Sequence, residues 1–96
     1  MTVSTESVPH GIDPGLVRLI ARCGVGDRHA MAALIDQTAE LMLRMCRMVV
    51  PDAVQAERCA VVAYGRVWSE SSSYNVDVAS PRCWLATIAY TSAREH

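Results

Sequence analysis

The chain has 96 residues, of which 51% are hydrophobic and 20% charged, with a formal net charge of -1. That length holds one domain with one modest core, and that composition buries enough apolar surface to fold rather than stay disordered. The charge excludes a domain that holds nucleic acid by bulk electrostatics, because each neutralised phosphate requires a basic side chain. All nine basic residues are arginine, a bias that fits GC-rich coding rather than a function.

Residues 1–12 read as a flexible N-terminal tail. They carry no periodicity, no basic cluster and no apolar run, and so resemble neither a signal peptide nor an anchor, which makes the cytoplasm the expected location. The folded domain is expected over residues 13–96, beginning where Asp13 caps a helix with Pro14 in its first turn and Leu16, Leu19, Ile20 and Cys23 fall on one face. Gly24-Val25-Gly26 ends this helix, predicted over 14–23. Asp27 caps the second, predicted over 28–49, whose stripe is Met31, Leu34, Ile35, Thr38, Leu41, Met42, Met45 and Val49, until Pro51 forbids continuation.

The third helix, predicted over 53–69, starts from Asp52 with Gln55 completing a capping-box pattern, and its apolar face is expected through Ala60, Val61, Tyr64, Val67 and Trp68. Residues 69–79, SESSSYNVDVA, are polar, serine-rich and aperiodic; they predict a long loop with one aromatic, Tyr74, which reads either as an exposed functional residue or as a tyrosine folded back on the core. Ser80 then caps a fourth helix over 81–95, with Pro81 first and Trp84, Leu85, Ile88, Ala89 and Ser92 on one side. No alternating strand pattern, repeat or phosphate-binding loop interrupts this order. The fold class is therefore all-α, a bundle of four helices whose short connections make consecutive helices neighbours.

Cys23, Cys46, Cys59 and Cys83 form no C-x-x-C pair and sit among apolar residues; they read as buried or half-buried reduced thiols, with zinc binding alongside His29 as the alternative. Neither a metal nor a cofactor is expected. Trp68 and Trp84 lie on apolar stripes and read as core packing. Met31, Met42 and Met45 read as core filling, whereas Met48 falls off the stripe. An enzyme is not expected, because His10, His29 and His96 occupy a tail, a helix start and the last position, and no nucleophile-base or paired-carboxylate spacing accompanies them.

The phrases AERCAVVAYGRVW and SPRCWLATIAYTSARE, in this order and separated by a polar loop, resemble region 2 of the extracytoplasmic-function class of bacterial sigma factors. Ala56, Glu57, Tyr64 and Trp68 match the first family phrase; Trp84, Leu85, Ile88, Ala89 and the acidic Glu95 match the second. The stretch opening Gly26-Asp27 and continuing to Val50 is similar to the family's second helix, so the resemblance covers residues 15–96. It implies a four-helix domain whose second and third helices dock on the clamp-helix coiled coil of RNA polymerase, and whose loop and fourth helix read and open the promoter −10 element on the non-template strand.

Capture of a flipped base by such a domain calls for a mobile polar loop, for which Tyr74 and Asn75 are the candidates. Arg82, Tyr90, Thr91 and Arg94 on the fourth helix are the candidates for phosphate contact or base stacking, a thin basic patch that implies weak, salt-sensitive DNA binding. The partner-facing candidates are Arg44, Arg47, Glu57, Arg58, Val61 and Val62. Arg44 and Arg47 read equally as a solvated face, with Glu40 pairing Arg44 along the helix. Where the family carries an acidic residue and then Gln-Glu, this chain has Arg58, Val61 and Val62, which reverse one charge and remove two polar groups. A sigma-like module that engages an anti-sigma or other regulatory protein without transcribing is the second reading. The chain also stops inside the family's promoter-reading helix and holds no second DNA-binding domain, as expected of a trimmed fragment or a shortened gene product.

Overall fold

A computed structural model describes residues 13–96; the expected tail at residues 1–12 lies outside them. The described chain forms α1 (Pro14–Gly24), α2 (Arg28–Val49), α3 (Ala53–Glu70) and α4 (Pro81–Arg94), with one 3-10 turn over Ser71–Ser73. Each helix opens at the cap that the sequence predicts. Asp13 accepts from the amides of Gly15 and Leu16 at 2.9 and 3.2 Å, Asp27 from Ala30 at 3.1 Å, Asp52 from Gln55 at 2.9 Å and Ser80 from Cys83 at 3.3 Å. Asp27 also accepts from Arg22 Nε at 2.7 Å, joining the end of α1 to the start of α2; that guanidinium holds the Asp27 carboxyl below its ordinary range. Gly26 turns the chain between them at φ 88°, a conformation that side chains resist. The capping box at α3 is only half formed, because the Gln55 side chain accepts from His96 Nε2 at 2.9 Å.

α2 is the spine, packed against α1, α3 and α4, while α4 also lies along α3. Its buried face is Ala30, Leu34, Thr38, Met42 and Cys46, a clean i+4 series. Leu16, Ile20 and Cys23 from α1 and Leu85, Ile88, Ala89 and Ala93 from α4 close on it. Ile35, expected inside, is exposed instead, because the series through Leu34 and Thr38 turns it toward the α3 side of the surface. Trp68 and Trp84 pack against the core as half-buried side chains, as do Met31 and Met45.

α3 corrects a second expectation. Its buried residues are Ala56, Cys59, Ala60, Ala63 and Val67, and Val61, expected on that face, is 71% exposed. Small side chains at i, i+3, i+4 and i+7 bring α3 close to its neighbours, which outweighs the greater hydrophobicity of valine one position along. Tyr64, at the edge of this face, donates its hydroxyl to Thr38 Oγ1 at 2.7 Å; the Thr38 proton is committed to the Leu34 carbonyl, also at 2.7 Å. Thr38, the only buried threonine among the described residues, is thereby satisfied from two helices.

The serine-rich stretch is more ordered than expected. α3 runs to Glu70, Ser71 bonds back to the Val67 carbonyl, and Ser73 bonds back to the Glu70 carbonyl at 2.9 Å. Ser71 is buried, and the turn packs on α1, where a Cβ on Gly24 would lie 3.0 Å from Ser72 Cα. Three of the cysteines are buried, as expected; Cys83, on the outer side of α4, is exposed. Among the described residues no group of three His, Cys, Asp or Glu side chains could hold a metal ion, and no helix is long and apolar enough to cross a membrane.

Two glycine-to-alanine substitutions should move stability in opposite directions. At Gly65, mid-helix and with nothing within 4 Å of an added Cβ, Gly65→Ala should stabilise by about 1 kcal/mol through helix propensity. At Gly24, where the added carbon meets backbone, Gly24→Ala should destabilise by about 1–3 kcal/mol. Urea denaturation of both variants beside the natural chain measures the two signs.

Burial pushes the Cys23 and Cys46 thiols above their ordinary 9.0, and pushes the Tyr64 phenol above 10.0 despite the opposing Thr38 bond. The unfolded chain therefore ionises first. The stability these groups supply is complete below their ordinary values and is lost as pH rises through the raised ones. The urea midpoint should stay flat near neutrality and fall above about pH 9, and Tyr64→Phe should flatten the part of that fall above about pH 10.

Candidate functional site

The candidate residues fall on three adjoining depressions and the segment before α4. The first is a groove between α2 and α3, lined by Ile35, Ala39, Leu43, Glu57, Ala60, Val61 and Tyr64. Its floor is apolar because it is formed by Ala39, Leu43 and Ala60 between the two helices, while Glu57 supplies the one carboxylate on its wall. The second lies farther along α2, where Glu40, Leu43, Arg44, Arg47 and Met48 line a shallow hollow. Leu43 belongs to both, so the two form one continuous face.

This face brings together four of the six partner-facing candidates: Arg44, Arg47, Glu57 and Val61. Arg58 and Val62 are exposed on α3 but line neither depression. The expected Glu40–Arg44 ion pair is not formed; the ion pairs among the described residues are Arg22–Asp27 and Arg66–Glu95. Met48, at 68% exposure, is an apolar side chain left in solvent at one end of the face. Sequence reasoning missed Ala39, Leu43 and Met48 as lining residues. The signal was present, since Ala39 and Leu43 continue the row of Ile35 at i+4 and i+8, which the inward series through Leu34 leaves at its edge.

The third surface is the outer side of α4 with the segment before it. Arg82, Tyr90 and Arg94 are exposed and Thr91 is half-buried. Arg94 Cζ lies 5.8 Å from the Tyr90 ring centroid and its Nη1 sits 3.5 Å from the Tyr90 hydroxyl, so the guanidinium rests over the ring and places a cation beside an exposed aromatic. Cys83, Ala86, Thr87 and Tyr90 border a depression against Met45 and Met48 of α2. Tyr90 thus stands where the α4 surface meets the α2 end of the other face.

Tyr74 takes the second of its two readings, folded back rather than exposed. Its ring lies 4.8 Å from that of Trp84 at a 45° tilt, and its hydroxyl donates to the Ala79 carbonyl at 2.8 Å. Burial, with Cys83 nearby, raises its phenol. Tyr74 therefore closes residues 74–79 into a loop against the first turn of α4, in the manner of an aromatic packed through its ring and hydrogen-bonded through its edge. Asn75 is exposed; its side chain accepts from the Asp77 amide at 2.8 Å and its carbonyl accepts from Val78 at 3.0 Å. Asn75 is thus bound into its own turn through both of its oxygens.

The C-terminal end of α4 is fastened to α3 by Arg66–Glu95 and by His96–Gln55. Glu95, matched to a family position by sequence, thereby acts as a tie between two helices. Comparison with protein-family models, with curated protein sequences and with solved structures finds no match to this chain.

Accessibility of the thiols gives a direct test of this surface. Under native conditions one thiol per chain should react quickly with an aromatic disulfide reagent, and Cys83→Ser should abolish that fast phase. The three buried thiols should react only on unfolding, with the slow rate following denaturant.

Proposed function

We propose that this chain is a sigma region 2-like domain that docks on RNA polymerase through the α2/α3 face and meets the promoter −10 non-template strand with the outer side of α4. The observation that carries the reading is the continuous face around Leu43, where α2 and α3 leave an apolar groove open between them with charged side chains beside it. An apolar row flanked by charges on two packed helices suits a helical partner laid along it. The ordered match of AERCAVVAYGRVW and SPRCWLATIAYTSARE to the family phrases supplies the identity of that partner, the clamp-helix coiled coil.

On the α4 side, Arg82 and the Tyr90–Arg94 unit supply a cation and a stacking plane, the two things that unpaired nucleotides ask of a protein. Tyr74 in this reading positions rather than captures: its ring against Trp84 fixes the approach of the loop to α4, and it reaches a base only if the Ala79 bond opens.

A second reading is favoured by one specific feature. Val61 and Val62, where the family has Gln-Glu, are 71% and 56% exposed, and Arg58 beside them is exposed as well. An interface built around those valines is apolar rather than polar, which suits a different partner, such as an anti-sigma protein, that the domain engages without transcribing.

Calorimetric titration against the isolated clamp-helix fragment separates the readings. Docking predicts binding that Leu43→Glu weakens by at least about thirtyfold, the cost of setting an unpaired charge in an apolar contact. An absence of binding, recovered in an Arg58→Asp/Val61→Gln/Val62→Glu variant, would instead favour the regulator-binding module. For the α4 surface, a −10 non-template oligonucleotide should slow alkylation of Cys83, and Tyr90→Ala/Arg94→Ala should remove that protection.

A further inference from the structure

The exposed side of α2 that borders the α2/α3 face, with Glu40, Arg44 and Arg47 lining its hollow and Asp36 one turn before Glu40, carries an order of charges that the docking reading does not use. Asp36, Glu40, Arg44 and Arg47 are all exposed and, at spacings of four, four and three residues, follow one stripe along α2. The two acids precede the two arginines, so the stripe is negative in its first half and positive in its second. None of the four belongs to an ion pair among the described residues. Helix-dipole stabilisation acts within the terminal turns. It accounts for Arg47 near the end of α2, but not for Asp36, Glu40 or Arg44, which lie in its interior.

From this order we infer that the α2/α3 face self-associates, pairing with a second copy of the chain across a two-fold axis that passes between Glu40 and Arg44. An isologous contact requires a patch complementary to itself after rotation. A stripe that changes sign at its midpoint meets that requirement when the two α2 helices run antiparallel. Asp36 of one copy then faces Arg47 of the other, and Glu40 faces Arg44, giving four interchain pairs along a stretch of roughly 16 Å of helix. In a parallel arrangement the same stripe would set acid against acid and arginine against arginine.

The apolar part of the face fits the same axis. Ala39 and Leu43 flank it, a small and a large residue that can interdigitate with their symmetry equivalents. Ile35 and Val61 on one side and Met48 on the other extend the apolar contact. The charges then form the rim and fix the register. The dimer covers the face that the proposed polymerase contact needs, so it would hold the domain out of transcription. That consequence rests on the sigma reading, whereas the dimer itself does not.

Sedimentation equilibrium of the natural chain, with variants carrying reversed charges, tests the inference without any polymerase. The natural chain should dimerise at low salt and weaken as salt rises. Asp36→Arg/Glu40→Arg alone and Arg44→Glu/Arg47→Glu alone should each raise the dimer dissociation constant about a hundredfold, because each makes the stripe of one sign. An equimolar mixture of the two variants should form a heterodimer as tight as the natural pair. Circular dichroism of each variant, with all four positions exposed, confirms that the fold is kept. A natural chain that stays monomeric at low salt overturns the proposal. So do single-sided variants that associate like the natural chain, or a mixture that does not associate.

Discussion

The arrangement depends on how close α3 can come to α2 and α4, and that distance is set by Ala56, Cys59, Ala60 and Ala63. A helix that presents methyl and thiol groups to its neighbours allows their longer side chains to reach across it, so Leu34, Met42 and Leu85 fill the centre of a chain that contains no phenylalanine. The same close approach brings the Tyr64 hydroxyl within 2.7 Å of Thr38. That bond lets a threonine sit at the middle of the core without an unpaired oxygen. Ser92 Oγ, by contrast, is a buried oxygen on α4 for which the structure offers no partner.

The choice of the small face has a surface consequence. With Ala56, Cys59, Ala60 and Ala63 turned inward, Val54, Val61 and Val62 must turn outward, since a helix cannot present both rows to one neighbour. The exposed valines are thus the other side of the packing solution rather than an isolated anomaly. An exposed β-branched row on a helix carries no intrinsic benefit to helix formation. Its presence where polar side chains would serve the helix equally well is what a covering partner would account for.

The helices were legible because their ends are written in residue chemistry. Asp13, Asp27, Asp52 and Ser80 cap, Pro14 and Pro81 open, and Pro51 stops, and each operates locally whatever the tertiary context. Facing was less legible. Hydropathy ranks valine above alanine and cysteine, so it points Val61 inward, whereas packing selects the row that lets backbones approach. The serine run misled for a related reason. Serine lowers helix propensity through its competing side-chain bonds, yet here Ser71 and Ser73 aim those bonds back at the Val67 and Glu70 carbonyls of the closing turn. They prolong order instead of ending it. Tyr74 could not be placed from its neighbours in sequence, because the Trp84 ring that holds it lies ten residues on, across a loop.

The two proposed faces differ in the physics by which they could bind anything, and that difference constrains function. The α4 surface offers Arg82 and Arg94, so counterion release would supply its affinity, and salt would erode it. The groove around Leu43 offers apolar area with charges at its rim, so burial would supply its affinity, and salt would act mainly on register and rate. A chain of net charge -1 cannot hold DNA tightly with two arginines. Contact with a nucleic acid through α4 therefore requires that the domain first be held nearby by something else, which raises the effective concentration of the strand. The apolar face is the surface suited to that holding. Under the proposed function, the α2/α3 interaction would come before the α4 interaction, and the occupant of the groove would decide whether the α4 surface is used at all.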